Sequence, residues 1–237
     1  MSRTVLPERA PAVLLLDAGN TVVFFDDDAA AQVLAGEGAR VEPARLRAAH
    51  GAAKRAYEQL LASGVSHAAG WGLYGQELLR AAGLPEGRLV ELVGALRAEH
   101  DRLNLWRRVP GEVPGALERL RAAGIRIGMV SNSEGMIARL VADVGLARFF
   151  EVIVDSGTEG VSKPDPEIFR RALARMGAPA ETATYVGDVP SVDVDGARAA
   201  GLSAILIDAF DHYPDYTDAP RIRSLAELAE KWTALRT

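Results

Sequence analysis

Five short apolar runs, bounded by polar residues, constrain the fold of this chain more than any other feature of its sequence. Continuous runs of this kind are typical of strands that are buried on both faces of a parallel sheet. The runs are Ala12–Leu16, Ile125–Val130, Phe150–Val154, Thr184–Val186 and Ser203–Ile207. Because the chain has 237 residues and is 49% hydrophobic, it can bury a core of the size that such a sheet needs.

Stretches with helical apolar spacing separate the later runs from one another. They are Val113–Ala123, Glu134–Val144, Pro166–Met176 and Ser191–Ala200. Strands that alternate with helices form right-handed βαβ units, and these assemble into a parallel sheet. The sequence therefore predicts an α/β fold whose core is a doubly wound, Rossmann-like parallel sheet.

A segment without a convincing strand, from about residue 28 to residue 107, interrupts this alternation after the first run. It carries amphipathic helical stretches, among them Pro43–Leu61, Trp71–Ala82 and Glu86–Leu105. We therefore expect residues 1–21 and 109–237 to form the α/β core, and residues 22–108 to form an inserted, all-helical cap domain.

Composition excludes several classes of partner and site. The net charge is −5 and the chain has no basic block, so we expect neither a nucleic acid nor an acidic membrane surface as a partner. The chain has no cysteine, which excludes disulfides, thiolate metal sites and cysteine catalysis. The apolar run near the start is too short to span a membrane and lacks the layout of a signal peptide. These features predict a cytoplasmic protein, and the sequence leaves open whether it is a monomer or a homodimer.

Polar residues follow the predicted strands at positions that share one edge of the sheet. In an open parallel sheet, ligands bind at the carboxyl ends of the strands. The residues at or near those ends are Asp17, Ser131, Asn132, Lys163, Asp188 and Asp193. The sequence therefore predicts a site that combines carboxylates, a hydroxyl and one lysine.

Such a set suits the transfer of a phosphoryl group. A carboxylate, here Asp17, attacks phosphorus and forms an acyl phosphate. Mg²⁺ prefers hard oxygen ligands, which Asp17 and Asp188 offer. Lys163 would offset the crowded negative charge and orient Asp17. Ser131 and the backbone N–H groups at the start of the following helix would hold phosphate oxygens. The residues expected to contact phosphate are Thr21, Ser131, Asn132 and Lys163.

Four segments, taken together and in order, resemble the haloacid dehalogenase superfamily, in which phosphatases predominate. Its motifs are a nucleophilic Asp after the first strand, a strand ending in Ser or Thr, a Lys often followed by Pro-Asp-Pro, and Gly-Asp followed by a later Asp. The matching segments are Leu14–Thr21, Gly128–Asn132, Lys163–Pro166 and Gly187–Asp193. The resemblance implies a Mg²⁺-dependent hydrolase that acts on a small phosphate ester through an aspartyl phosphate on Asp17.

Two residues depart from the family pattern. Family phosphatases usually carry a second Asp two residues after the nucleophile, where it protonates the leaving oxygen and then activates water; this chain has Gly19 there. In the family that position gives the metal only its backbone carbonyl, so the implied metal ligands remain Asp17, Gly19 and Asp188. Val192 stands where an Asn is common, which leaves Asp193 with a supporting role.

Gly19 keeps three alternatives open. The dehalogenase branch also lacks the second Asp but needs no metal, and Asp188 argues against it. The phosphonatase branch would need a lysine from the cap, for which Lys54 is the sole candidate, although a lysine there is more often on a solvated helix face. The third alternative is a binding or regulatory protein that kept the pocket and lost efficient chemistry.

Histidines and large aromatic residues receive no catalytic role. The four histidines lie far apart in the sequence and lack the spacing of metal ligands. Trp71, Tyr74 and Trp106 are expected to pack in the interior.

Overall fold

The computed structural model describes residues 6–7, 9–62 and 67–234, and only the backbone at residues 61–62 and 67–69. The chain divides into two compact units. One, which we call the core unit, consists of Met1–Phe24 and Val109–Thr237, and the other, the helical unit, is Phe25–Arg108. The division thus falls between Phe24 and Phe25, whereas the sequence placed it after residue 21.

A sheet of six parallel strands forms the centre of the core unit, in the order β3-β2-β1-β4-β5-β6. The strands are β1 Val13–Leu16, β2 Arg126–Ser131, β3 Val152–Asp155, β4 Ala183–Gly187, β5 Ser203–Ile207 and β6 Arg221–Ile222. Strand β1 lies between β2 and β4, with Leu16 opposite Met129 on one side and Val186 on the other. The predicted doubly wound α/β fold class is confirmed by this topology and by the structural comparisons below.

Helices alone make up the regular structure of the helical unit, as far as its residues are described. They are α1 Asp27–Gly36, α2 Pro43–Ala62, α3 His67–Ala81 and α4 Leu89–Arg102. Asp26 caps α1 by accepting a hydrogen bond from the N–H of Ala29 at 3.0 Å. Trp71, Tyr74 and Trp106 pack against the buried apolar residues of this unit, as predicted.

A polar network around the buried Asp27 carboxylate crosses the helical unit. The Asp27 carboxylate lies 2.8 Å from Nε2 of His50 and 3.1 Å from Nε of Arg47, and Nδ1 of His50 lies 2.6 Å from the Tyr74 hydroxyl. The network therefore ties α1 to α2 and α3. Lys54, on the next turn of α2 after His50, is only 8% exposed, so the expectation of a solvated lysine at this position is wrong.

Six further α-helices lie in the described part of the core unit: α5 Glu112–Ala122, α6 Ile137–Asp143, α7 Ser156–Glu159, α8 Pro166–Met176, α9 Asp195–Ala199 and α10 Leu225–Ala234. Asp165 caps α8 through the N–H of Glu167.

The sequence analysis did not identify α10, whose buried residues Leu225, Leu228 and Trp232 have helical spacing. It also missed β6, because two residues are too few to form a recognisable run. Among the described residues, no helix combines the length and apolar character needed to cross a bilayer.

We expect Gly128→Ala to destabilise the core unit by about 1–3 kcal/mol, because the added methyl group overpacks the interior. Its Cβ would lie 2.8 Å from Cδ2 of Leu15 and 2.9 Å from Sδ of Met176, both of which are buried. Gly115→Ala on α5 is the matched control, since its Cβ would meet nothing closer than Nη1 of Arg119 at 3.8 Å. Urea unfolding monitored by circular dichroism measures the difference, and equal losses in the two variants would contradict it.

Candidate active site

The carboxyl ends of β1, β2 and β4 bring the predicted residues to one edge of the sheet. Asp17 directly follows β1, and its N–H donates to the Val186 carbonyl of β4 at 2.8 Å. Ser131 ends β2, and Asp188 directly follows β4. All of the predicted acidic, hydroxyl and lysine groups at this edge are buried: Asp17, Ser131, Lys163, Asp188 and Asp193.

The ammonium of Lys163 lies among three oxygen atoms. Its Nζ is 2.6 Å from Oδ1 of Asp17, 2.7 Å from Oδ1 of Asp193 and 2.8 Å from the Tyr185 hydroxyl. An ammonium has three protons to donate and accepts none, so these three contacts use all of them. Lys163 therefore joins the predicted nucleophile to the later Asp of the fourth motif.

Burial and charge act against each other on this lysine. Burial alone would lower the pKa of the Lys163 ammonium, but the Asp17 and Asp193 carboxylates outweigh it and raise the pKa above its usual range. For Asp17, burial is the largest influence and raises the pKa to about 7; Lys163 opposes the rise, and Asp193 and Asp188 add to it. The cluster thus holds more negative charge than the single ammonium compensates.

Three carboxylates have the spacing of a metal site, with oxygens of Asp17, Asp188 and Asp193 within 4.8 Å of one another. The hydrogen bonds distinguish among them. Oδ1 of Asp193 accepts from Lys163, and its Oδ2 accepts from the N–H of Val189 at 2.8 Å. Both oxygens of Asp193 are thus engaged by the chain itself, which favours a positioning role for this carboxylate over a role as a metal ligand.

Asp193 reaches this position from a π-helical turn, Pro190–Val194, that leads into α9. The sequence predicted one continuous helix here, whereas the structure has a wider turn at the site itself. Gly187 makes room for the Asp193 side chain, because a Cβ at residue 187 would lie 2.3 Å from Cγ of Asp193. The glycine of the Gly-Asp pair thus permits the close approach of the later Asp.

The loop after β1 contains the Gly19 carbonyl, one of the predicted metal ligands. The Ala18 carbonyl accepts from Val22 and Val23, each at 2.9 Å, whereas among the described residues no hydrogen bond occupies the Gly19 carbonyl. Asn20 adopts a left-handed conformation with φ of 52°, and its Nδ2 donates to Oδ2 of Asp188 at 3.0 Å. Asn20 therefore orients the second predicted metal ligand, a role that the sequence analysis missed.

Thr21 closes this loop and is only 1% exposed. Its hydroxyl has no hydrogen-bond partner within the part of the chain that is described. A buried hydroxyl without a partner is costly unless a ligand or water satisfies it. The expectation that Thr21 contacts phosphate stays a prediction, and this unsatisfied hydroxyl favours it.

The Asn132 side chain is engaged with the protein rather than directed at a ligand. Its Nδ2 donates to the Lys163 carbonyl at 2.9 Å, and its Oδ1 accepts from the Lys163 N–H at 2.8 Å. Both polar atoms are used, so any phosphate contact at this residue would fall to its backbone. The amide instead fixes the backbone of Lys163, the predicted catalytic lysine.

The backbone after β2 also differs from the prediction. Helix α6 begins at Ile137, so Ser131 does not cap it. The Asp155 carboxylate accepts from the N–H groups of Gly135, Ile137 and Gly157 at 3.0, 3.1 and 2.9 Å. Two of these donors, Gly135 and Ile137, lie near the start of α6, where backbone N–H groups were expected to hold phosphate, and they are already satisfied from the end of β3. Asp155 was not predicted, although it directly follows the run Phe150–Val154 and the rule that selected Asp17 could have found it; the strand register places it opposite Ser131.

Tyr185 also lies at the site and was not predicted from the sequence. It is fully buried in β4, and burial raises the pKa of its hydroxyl well above the usual value, with Asp193 and Asp17 adding to the rise. The side chain therefore stays a neutral phenol. Its position inside an apolar run concealed it, although a buried tyrosine hydroxyl generally needs a partner.

We expect Asn132→Asp to destabilise the core unit by about 1–3 kcal/mol, since a carboxylate oxygen would then face the Lys163 carbonyl where an N–H had donated. Asn104→Asp is the matched control. Oδ1 of Asn104 only accepts, from the Trp106 N–H at 2.8 Å, so an aspartate keeps that bond. Thermal unfolding of both variants tests the expectation, which fails if Asn132→Asp is as stable as the wild type.

Comparison with known proteins supports the motif-based interpretation. The family model of haloacid dehalogenase-like hydrolases matches residues 11–201. Phosphoserine phosphatase of Thermus thermophilus is 34% identical over 163 residues, which cover 68% of this chain and 63% of that protein. Glyceraldehyde 3-phosphate phosphatase of Methanopyrus kandleri is 35% identical over 134 residues, covering 55% of this chain and 56% of that protein. The chain thus matches about half to two thirds of the length of these relatives.

Solved structures share the fold over almost the whole chain. The HAD hydrolase YfnB of Bacillus subtilis, described as bound to magnesium, has a TM-score of 0.71 at 20% identity and covers 94% of this chain and 99% of its own. The 2-haloacid dehalogenase of Pseudomonas syringae has a TM-score of 0.58 at 25% identity, with 95% and 99% covered. The fold therefore does not decide between phosphate and halide chemistry. The family match, which covers most of the chain, shows that this protein belongs to the haloacid dehalogenase-like hydrolase family.

Proposed function

We propose that this protein is a Mg²⁺-dependent phosphatase that hydrolyses small phosphate esters through an aspartyl phosphate on Asp17. The observation that carries the proposal is the buried Lys163 ammonium, 2.6 Å from Oδ1 of Asp17. This contact favours the ionised form of the carboxylate against the effect of burial and fixes its position, as a nucleophile requires. Two relatives named as phosphatases add support at the level of reaction type.

The metal ligands in this proposal are Asp17, the Gly19 carbonyl and Asp188. Three buried carboxylates lie beside one ammonium, and this excess of acidic groups suits a divalent cation. The donors are all oxygens, as Mg²⁺ prefers. When bound, the ion would neutralise charge on the phosphoryl group and on the carboxylates around it.

The chain's own residues account for the covalent steps. Lys163 occupies Oδ1 of Asp17, and Oδ2 has no hydrogen bond among the described residues, so Oδ2 is the oxygen that attacks phosphorus. A bond forms between this oxygen and phosphorus while the ester oxygen leaves with its electron pair. Water then attacks the phosphorus of the aspartyl phosphate, which releases inorganic phosphate and restores Asp17.

The leaving oxygen needs a proton when it departs from phosphorus, and the loop after β1 offers no acid to supply it. Gly19 replaces the aspartate that family phosphatases use, and the substrate's leaving group must therefore depart as an anion or take its proton from elsewhere. General acid help is worth about 10²–10⁴-fold in rate. The proposal accordingly favours esters with acidic leaving groups, such as aryl phosphates.

The covalent role of Asp17 predicts a specific loss of activity. We expect turnover of p-nitrophenyl phosphate that requires Mg²⁺, stops with EDTA, and falls below detection in Asp17→Asn, because an amide does not attack phosphorus. Asp143→Asn is the control, since that carboxylate is 59% exposed on α6 and lies in no part of the site. Turnover that persists in Asp17→Asn would rule out the aspartyl phosphate.

The missing acid predicts a gain of function. Gly19→Asp is expected to raise kcat/KM on an alkyl phosphate by about 10²–10⁴-fold, and to raise it far less on p-nitrophenyl phosphate, whose leaving group needs no acid. Gly19→Asn has nearly the same size without the acid, and we expect no gain from it. Equal rates in the Asp and Asn variants would mean that the proton comes from another group.

The other reactions of the family remain less well supported. The hydrogen bond from Asn20 orients Asp188, which we expect to be a metal ligand. A dehalogenase needs no metal, so this arrangement does not favour that branch. Halide release without Mg²⁺ would nevertheless favour that branch. A phosphonatase would rely on Lys54, which is buried in α2 of the helical unit. A binding or regulatory protein is supported only by Gly19, and efficient turnover by the wild type would exclude it.

A further inference from the structure

Tyr185 has no part in the reaction described above, although its hydroxyl lies at the centre of the site. The side chain is fully buried. Its Oη is 2.8 Å from Nζ of Lys163, 3.1 Å from Oδ1 of Asp193 and 3.0 Å from the Val130 carbonyl. One hydroxyl thus contacts the lysine, the later Asp, and the strand residue before Ser131.

The directions of these hydrogen bonds follow from what each group can do. An ammonium only donates, so the phenol oxygen accepts from Lys163. The hydroxyl has one proton of its own, and two acceptors lie within reach of it, the Val130 carbonyl at 3.0 Å and Oδ1 of Asp193 at 3.1 Å. Tyr185 therefore links the lysine to the end of β2 and to the later Asp.

The contact with the Tyr185 hydroxyl determines how the Lys163 ammonium is held. Two carboxylate contacts, to Asp17 and Asp193, leave the ammonium able to pivot about the line between them. A third acceptor removes that freedom. Because Tyr185 is neutral, it does so without adding negative charge where a phosphate must bind.

The ring of Tyr185 is fixed separately from its hydroxyl. It packs edge-on against Phe169 of α8, with ring centroids 4.9 Å apart and an interplanar angle of 86°. Removing the hydroxyl alone therefore leaves the ring contact in place, while changing Phe169 alters the packing and leaves the hydroxyl. The chain thus offers a matched pair of substitutions.

We propose that Tyr185 is a positioning residue, which accepts the third proton of the Lys163 ammonium and thereby holds Asp17 in line for attack. The proposal rests on the proposed phosphatase function. It requires no contact between Tyr185 and the substrate. The expected defect on losing the hydroxyl is thus in the rate of reaction rather than in substrate binding.

The kinetic test compares Tyr185→Phe with Phe169→Leu on p-nitrophenyl phosphate with Mg²⁺. We expect Tyr185→Phe to lower kcat by roughly 10- to 100-fold, the range for losing one hydrogen bond to a charged group, with KM changed by less than about twofold. Phe169→Leu should lower the thermal midpoint and leave kcat within about twofold of wild type. Equal kcat losses in the two variants would overturn the proposal, because packing would then explain both.

A second measurement does not depend on activity. The chain has only three lysines, Lys54, Lys163 and Lys231, so ¹⁵N-lysine labelling gives a simple ammonium spectrum. Assignment follows by elimination with Lys54→Met and Lys231→Arg. We expect a slowly exchanging Lys163 signal that broadens or shifts in Tyr185→Phe and stays in Phe169→Leu.

The two measurements separate the two proposals. A Lys163 signal that is unchanged in Tyr185→Phe would overturn the positioning role, whatever the rate does. If the Lys163 signal changes in Tyr185→Phe while the wild type shows no phosphatase activity, the hydrogen bond is upheld and the proposed function is overturned instead.

Discussion

The buried ion pair between Lys163 and Asp17 is the interaction on which the rest of the site depends. An isolated buried ammonium is costly by several kcal/mol, and removing one partner of a buried pair leaves the other charge uncompensated. The structure meets this cost with two carboxylates and a phenol around one nitrogen. Any loop movement that displaced Lys163 would therefore unbalance the nucleophile, the later Asp and Tyr185 together.

The backbone around Lys163 is held from two sides by parts of the chain distant in sequence. The Asn132 amide binds its N–H and carbonyl from the loop after β2. From the other side, Gly196 of α9 brings its backbone so close that a Cβ there would lie 2.9 Å from Cα of Pro164. Two glycines, Gly187 and Gly196, thus serve one purpose at this site, which is to let a charged group and its loop approach without steric conflict.

The sequence predicted the parts of this site that follow from topology. Parallel strands place Asp17 and Asp188 at one edge whatever their exact lengths, so their convergence required no coordinates. Tyr185 was missed because it lies inside an apolar run, and its role depends on which hydrogen-bond donor lies within 3 Å. Asp155 directly follows the predicted run Phe150–Val154, but the backbone N–H groups that it binds could not be identified without the loop geometry. Asn132 was identified as a site residue, but its amide has a structural partner that no local pattern specifies.

Asp155 has a consequence for how the site meets its ligand. Its carboxylate satisfies backbone N–H groups of the loop between β2 and α6, and Ser156 holds the same loop through the N–H and carbonyl of Ser133. The loop beside Ser131 is therefore shaped by the protein's own acceptors before any anion arrives. Its conformational entropy is lost when the chain folds, so binding carries a smaller ordering penalty than it would with a loop that closes around its ligand.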